Sequence, residues 1–157
     1  MARAVQAPRE GSRSVTAPPY VRGAVPLVAI PMSYSILIVD DEDNQRRSLA
    51  IGLRLEGFDI VEACDGFEAL DRLGERTVDL AIIDVMMPRM NGLDLARRLG
   101  VVHPDVKIVL TSAYHLSERQ IERAGIPAVA FMPKPYAFDD LTRFLHERLT
   151  PPRVANS

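Results

Sequence analysis

Five side chains in this sequence have the types and spacing to handle a phosphoryl group. Three are carboxylates, Asp40 and Asp41 in "ILIVDDE" and Asp84 in "LAIIDVMMPRMNG"; the others are the hydroxyl of Thr111 in "IVLTSAY" and the ammonium of Lys134 in "FMPKP". Carboxylates brought within a few ångströms of each other repel, and at least one pKa rises unless a cation is present. A few hard oxygen ligands completed by water suit Mg2+, which prefers one or two carboxylates plus phosphate oxygens to a full protein cage. A hydroxyl and an ammonium facing the same point are donors for an anion. The aspartate of the middle segment is the natural nucleophile, because a carboxylate can form an acyl phosphate. A metal and a lysine then offset the charge of the transferred group.

Taken singly, each residue has an ordinary explanation. Asp40 or Asp41 can cap a helix, Thr111 is a β-branched strand end, and Lys134 between Pro133 and Pro135 is a surface charge. Asp84 is hardest to dismiss, because the aliphatic run before it leaves little room for an idle charge. The weight lies in the joint placement, which depends on the elements that carry these residues.

Those elements alternate. "ILIVD" (Ile36–Asp40), "FDIVEA" (Phe58–Ala63), "VDLAIID", "VKIVLTS" and "PAVAFMPKP" read as strands. Between and after them run helical patterns. "DNQRRSLAIGLRLEG" has Leu49 and Leu53 on one face and stops at Gly57. "DGFEALDRLGE" is capped by Asp65, with Phe67, Leu70 and Leu73 inward. "GLDLARRLGVVH" carries Leu93 and Leu99. A polar helix from Ser112 to Arg123 has Leu116, Ile121 and Ala124 on its apolar side, and "AFDDLTRFLHERL" points Leu141, Phe144, Leu145 and Leu149 inward. Unbroken aliphatic strands interleaved with amphipathic helices mean a parallel sheet covered on both faces. This is an α/β class fold, a five-stranded doubly wound sheet. In such sheets ligands bind beyond the carboxyl ends of the strands, which is where Asp40, Asp41, Asp84, Thr111 and Lys134 fall.

The rest of the chain sets bounds. It has 157 residues, 47% hydrophobic and 25% charged, with a formal net charge of −2, so charge gives no argument for a nucleic-acid or membrane surface. A single cysteine, Cys64, excludes an internal disulfide and is expected to pack as a small apolar group in a reduced, cytoplasmic setting. His103, His115 and His146 lack metal-ligand spacing. Residues 1–34, with Arg3, Arg9, Arg13 and Arg22 against one acid, Glu10, and rich in Pro, Ala and Ser, are expected to be disordered; Met32 offers an alternative start. Residues 35–149 form the folded domain and 150–157 a tail, with no output domain and no helix-turn-helix expected.

"ILIVDDE", "LAIIDVMMPRMNG", "IVLTSAY" and "FMPKP" resemble the response-regulator receiver domain of two-component signalling, over about residues 35 to 149. The resemblance implies a flavodoxin-like receiver fold with strand order 2-1-3-4-5. It implies that Asp84 is the phosphoacceptor fed by a sensor histidine kinase, and that Asp40, Asp41, Asp84 and the backbone carbonyl of Met86 hold Mg2+. Thr111 becomes the switch hydroxyl, Lys134 the phosphoryl-binding lysine, Phe131 the aromatic that changes rotamer, and Pro135 the site of a cis bond. The output is expected at the face of the fourth helix, fifth strand and fifth helix, toward an unknown downstream protein. Met86 and Ala113 are uncharged, so slow loss of the phosphoryl group is expected. The module is then a phosphoacceptor that assists its own phosphotransfer and dephosphorylation. Alternatives are a phosphorelay intermediate or a Mg-dependent aspartate-nucleophile phosphatase. The phosphatase needs a second acid where Met86 stands. A flavin carrier on this topology needs a phosphate loop where "DDEDNQ" is acidic. A receiver-like module that never takes phosphate has nothing in its favour, since all five site residues are present.

Overall fold

The computed structural model describes residues 33–149; the expected disordered segment before Ser33 and the tail after Leu149 lie outside the described residues. Five strands and five helices alternate: β1 Ser35–Val39, α1 Asp43–Leu55, β2 Asp59–Ala63, α2 Gly66–Glu75, β3 Leu80–Asp84, α3 Gly92–Val102, β4 Lys107–Ser112, α4 Glu118–Arg123, β5 Ala128–Pro133 and α5 Phe138–Leu149. All strand pairs are parallel and the order is β2-β1-β3-β4-β5, the doubly wound sheet expected from the alternation. Tyr34, placed in the disordered segment by composition, packs against the core, and its carbonyl accepts from the Asp59 N–H at 2.9 Å.

Strand side chains alternate between two cores. Leu37, Val39, Ala81, Ile83, Ile108 and Leu110 face one cluster with α2 and α3. Ile36, Ile38, Leu80, Ile82 and Val109 face the other with Ala50 and Leu53 of α1 and Leu141, Leu145 and Leu149 of α5. Burial on both faces is why these strands are aliphatic throughout rather than alternating. Burying a Leu, Ile or Val side chain contributes about 1.5–3 kcal/mol, so the two cores supply the packing that supports the strands' carboxyl ends.

In and around the helices the structure departs from expectation. Phe67 is 48% exposed rather than inward; Ala69 and Leu73 carry the buried face of α2. Cys64 is exposed, not packed. The fourth helix begins at Glu118, not Ser112. Ser112 stays in β4, and its Oγ accepts from the Tyr114 N–H at 3.1 Å. A reciprocal capping box then fixes the start: Ser117 Oγ accepts from the Gln120 N–H, and Gln120 Oε1 accepts from the Ser117 N–H. These local side-chain bonds offer the backbone an alternative to helix upstream of Ser117.

Candidate phosphoryl and metal site

The site sits at the carboxyl ends of the three central strands and β5. Asp84 is the last residue of β3 and the register partner of Thr111 on β4. Asp40 follows β1 directly and extends its ladder by donating its N–H to the Ala63 carbonyl at 3.2 Å. Lys134 follows β5, and its N–H donates to the Ser112 carbonyl at 2.8 Å. The Lys134–Pro135 bond is cis.

These groups meet. Lys134 Nζ donates to Asp40 Oδ2 at 2.9 Å and lies 3.6 Å from Asp84 Oδ2. Asp84 Oδ1 accepts from the Met86 N–H at 3.3 Å, so the chain turns back over the acceptor immediately after it. Asp84 is buried apart from an 8% exposed edge, Asp40 is 7% exposed, and Asp41 is open to solvent. Thr111 is buried beside them. Phe131 is partly buried against the α2–α3 core, the register partner of Leu110. Of the three loop methionines, Met87 and Met90 are core and Met86 is exposed.

The charges explain the titration behaviour. Burial pushes the Asp84 carboxyl above its ordinary value, and Asp40 and Asp41 add to this; Lys134 and the Met86 N–H oppose it without winning. Burial alone would lower the Lys134 ammonium, but the hydrogen bond to Asp40 and the charges of Asp40 and Asp84 outweigh it and hold the pKa above the usual lysine value. Burial also raises Tyr136, next to the lysine. One carboxylate oxygen from each of Asp40, Asp41 and Asp84 lies within 4.8 Å of the others. Octahedral ligands bound at 2.0–2.1 Å are separated by roughly 3–4 Å. The acidic trio therefore fits a small divalent cation with slight adjustment, and a cation there would offset the charge that burial and the neighbouring acids disfavour on Asp84.

Two residues that sequence reasoning does not single out complete the site. Arg46 on α1 is only 8% exposed and donates to the Asp40 backbone carbonyl at 2.9 Å and to Asp43 Oδ1 at 2.6 Å. It shares a helix face with Ala50 and Leu53, so a charge in an apolar stripe was its signal. Gln45 Oε1 accepts from Lys134 Nζ at 2.9 Å; no pattern in the sequence marks it.

A strand-end constellation of this kind defines a class of signalling module. The chain matches the family model described as the response regulator receiver domain over residues 36–146, and it belongs to that family of two-component signalling. It is 40% identical over 132 residues to the response regulator MprA of Mycobacterium bovis (strain BCG / Pasteur 1173P2), a match covering 80% of this chain and 56% of the relative. It is 41% identical over 113 residues to MprA of Mycobacterium sp. (strain KMS), covering 70% and 48%. The chain thus spans about half the length of the curated relatives it matches. Among solved structures, a CheY-like receiver domain protein from Methanospirillum hungatei superposes with a TM-score of 0.69 at 27% identity, covering 74% of this chain and 93% of that one. The response regulator TrrA of Thermotoga maritima, solved in complex with Mg2+-BeF, gives 0.66 at 34%, covering 74% and 99%. Among the described residues, no helix is long and apolar enough to cross a membrane.

Proposed function

We propose that this receiver is a phosphorylation switch in which Asp84 accepts a phosphoryl group from a phosphohistidine of a sensor histidine kinase. The observation that carries this reading is the convergence of Asp84, the Asp40–Asp41 pair and Lys134 from three separate strand ends. The P–N bond of the donor breaks and a P–O bond forms to an Asp84 carboxylate oxygen; the histidine nitrogen keeps the electron pair and takes up a proton from solvent. Asp40, Asp41, Asp84 and the Met86 backbone carbonyl would hold Mg2+, which when bound offsets negative charge on the transferring group.

The new group carries about −1.5 to −2 charges by analogy with other phosphoryl modifications. Lys134, already beside Asp84, turns a donor to a phosphoryl oxygen, and Thr111 moves in to give a second hydrogen bond. The space Thr111 leaves is filled by Phe131 from the neighbouring strand. Shifting a two-state equilibrium from 1:99 to 99:1 takes about 5.5 kcal/mol, and one charge-assisted hydrogen bond supplies roughly 1.5–3 kcal/mol. Both donors are therefore needed. The face of α4, β5 and α5 is the surface read by a downstream protein, and a cytoplasmic setting goes with a kinase donor. Passing the group onward, as a phosphorelay intermediate, uses the same chemistry. A turnover phosphatase is disfavoured because the thioether of Met86 cannot act as its general acid. Met86 and Ala113 also offer no group to activate water, so the phosphoryl group outlasts seconds in buffer.

Incubation with acetyl phosphate and Mg2+ tests the reading. Wild type is expected to gain one hydroxylamine-labile phosphoryl group, and Asp84→Asn none. Equal labelling of the two proteins overturns it.

A further inference from the structure

Lys134 holds its ammonium with two acceptors, and only one of them belongs to the acidic cluster. Asp40 Oδ2 and Gln45 Oε1 each lie 2.9 Å from Nζ, while Asp84 Oδ2 stands at 3.6 Å, beyond hydrogen-bonding distance. An ammonium has three N–H donors in tetrahedral arrangement. Asp40 and Gln45 engage two of them, which leaves the third for the side on which Asp84 lies.

We infer that Gln45 is a positioning residue for phosphoryl acceptance, fixing the Lys134 ammonium so that its remaining donor meets the phosphoryl oxygens on Asp84. This rests on the proposed phosphorylation of Asp84 and extends it to a residue on α1. The reason Lys134 needs such a partner is the space beside it. Lys134, Gln45 and Ser48, with the apolar Leu49, Pro135 and Phe138, line a cavity of about 530 Å³ whose mouth is open to solvent. A lysine has a flexible four-carbon stem, and holding it in one rotamer costs up to about 2 kcal/mol of side-chain entropy. Asp40 restrains it from one side only. Without the Gln45 carbonyl, the ammonium swings toward the solvent at the cavity's mouth, exchanges that acceptor for water, and keeps its bond to Asp40. The third donor then points away from Asp84 for most of the time. Because Gln45 is uncharged, it anchors the lysine without adding to the repulsion among Asp40, Asp41 and Asp84.

The Gln45 amide oxygen is engaged with Lys134, so the residue's effect is expected to run through the lysine. That makes the test a double-mutant cycle. Gln45 is exposed on α1, and Met has similar volume and helix propensity, so Gln45→Met removes the acceptor oxygen and little else.

The experiment measures the rate constant of Asp84 labelling by acetyl phosphate with saturating Mg2+, in wild type, Gln45→Met, Lys134→Met and the double variant. Gln45→Met is expected to lower the maximal rate constant about tenfold, on the scale of one hydrogen bond to a charged group. The half-saturating concentration of acetyl phosphate is expected to stay within about twofold, since positioning acts on the transition state rather than on donor binding. In the Lys134→Met background, Gln45→Met is expected to change nothing further. A Gln45→Met rate within about threefold of wild type overturns the inference, and so does an undiminished loss in the Lys134→Met background, which would mark a structural role instead. A wild type that takes up no phosphoryl group overturns the proposed function and this inference with it. That outcome is distinct from one in which wild type is labelled and Gln45→Met keeps pace.

Discussion

The Cβ position of Gly92 falls against the backbone of Asp84, with the Asp84 carbonyl carbon and the Val85 Cα both 2.8 Å away. Gly92 opens α3, and its N–H donates to the Val85 carbonyl at 2.9 Å, so the helix start is laid directly on the end of β3. The glycine is thus required by close approach.

Gly92→Ala follows from this contact. Helix propensity alone favours the change by up to about 1 kcal/mol. Overpacking against backbone that cannot move aside costs typically about 1–3 kcal/mol and should win. We expect a lower urea midpoint, an unchanged m-value, and slower labelling of Asp84 by acetyl phosphate. A stabilised variant shows that the β3–α3 turn yields.

Asp84→Asn is expected to stabilise the metal-free protein while abolishing its chemistry. Burial and the neighbouring Asp40 and Asp41 already disfavour the Asp84 charge more than Lys134 favours it. An amide removes that charge, and a gain on the order of 1 kcal/mol in urea at pH 7 with EDTA is expected. On the proposed metal role, Mg2+ is expected to reverse the order: at a hundred times its Kd it would add about 2.7 kcal/mol to wild type and less to the variant, which would lack one ligand. Equal stability of the two proteins with and without Mg2+ argues that the acidic trio binds no cation.

How far the sequence reveals this site depends on the kind of signal. Asp40, Asp84, Thr111 and Lys134 were legible because each stands at or just past the carboxyl end of an aliphatic strand, and the doubly wound topology brings those ends together. The Asp65 cap was legible too: its carboxylate accepts from the Glu68 N–H at 2.8 Å. The start of α4 was misplaced although "SERQ" spells a capping box, because the mixed residues from Ser112 to Leu116 carry no period that argues against helix. Inside α1, Gly52 costs about 1 kcal/mol of helix propensity relative to Ala. In the fold, its missing Cβ lets the Phe138 ring approach to within 2.8 Å of that position, a contact between helices far apart in the chain. Gln45 was invisible for the same reason: its partner Lys134 is 89 residues away.

Arg89, in the loop after Asp84, adopts φ +67°, the left-handed region that disfavours side chains. Its guanidinium pairs with Asp65 and lies 5.8 Å from the Phe67 ring centre, which ties the loop to α2. Arg89→Ala loses the pair and keeps the strain; Arg89→Gly loses both. The left-handed penalty of about 1–2 kcal/mol, less the extra unfolded-chain entropy of glycine of about 0.4–1 kcal/mol, predicts the glycine variant to be more stable than the alanine variant by roughly 0.5–1 kcal/mol. Urea unfolding of the two side by side decides it. A more stable alanine variant means that the backbone leaves the left-handed region once the ion pair is gone.

Cys64 provides a pH test away from the acceptor. It is exposed, and its N–H donates to Glu68 Oε2 at 2.8 Å. The thiol's own hydrogen bond to Glu68, then burial, then the charges of Glu68 and Asp65, hold the thiol pKa above its ordinary value, with Arg46 opposing; the thiol and backbone N–H bonds from Cys64 in turn hold Glu68 below its own. The thiolate is the reactive form, so iodoacetamide should react slowly at neutral pH. Glu68→Gln removes the negative charge, lowers the thiol pKa and raises the thiolate fraction at every pH below it. The less basic thiolate is also the weaker nucleophile, with a Brønsted slope of about 0.4–0.5. That takes back roughly half of the gain at low pH and leaves the variant slower once both thiols are ionised. The two pH–rate profiles are therefore expected to cross, with the variant faster near pH 7 and slower at high pH. A purely steric role for Glu68 scales the whole profile without moving its midpoint. Parallel or superimposed profiles refute the electrostatic coupling.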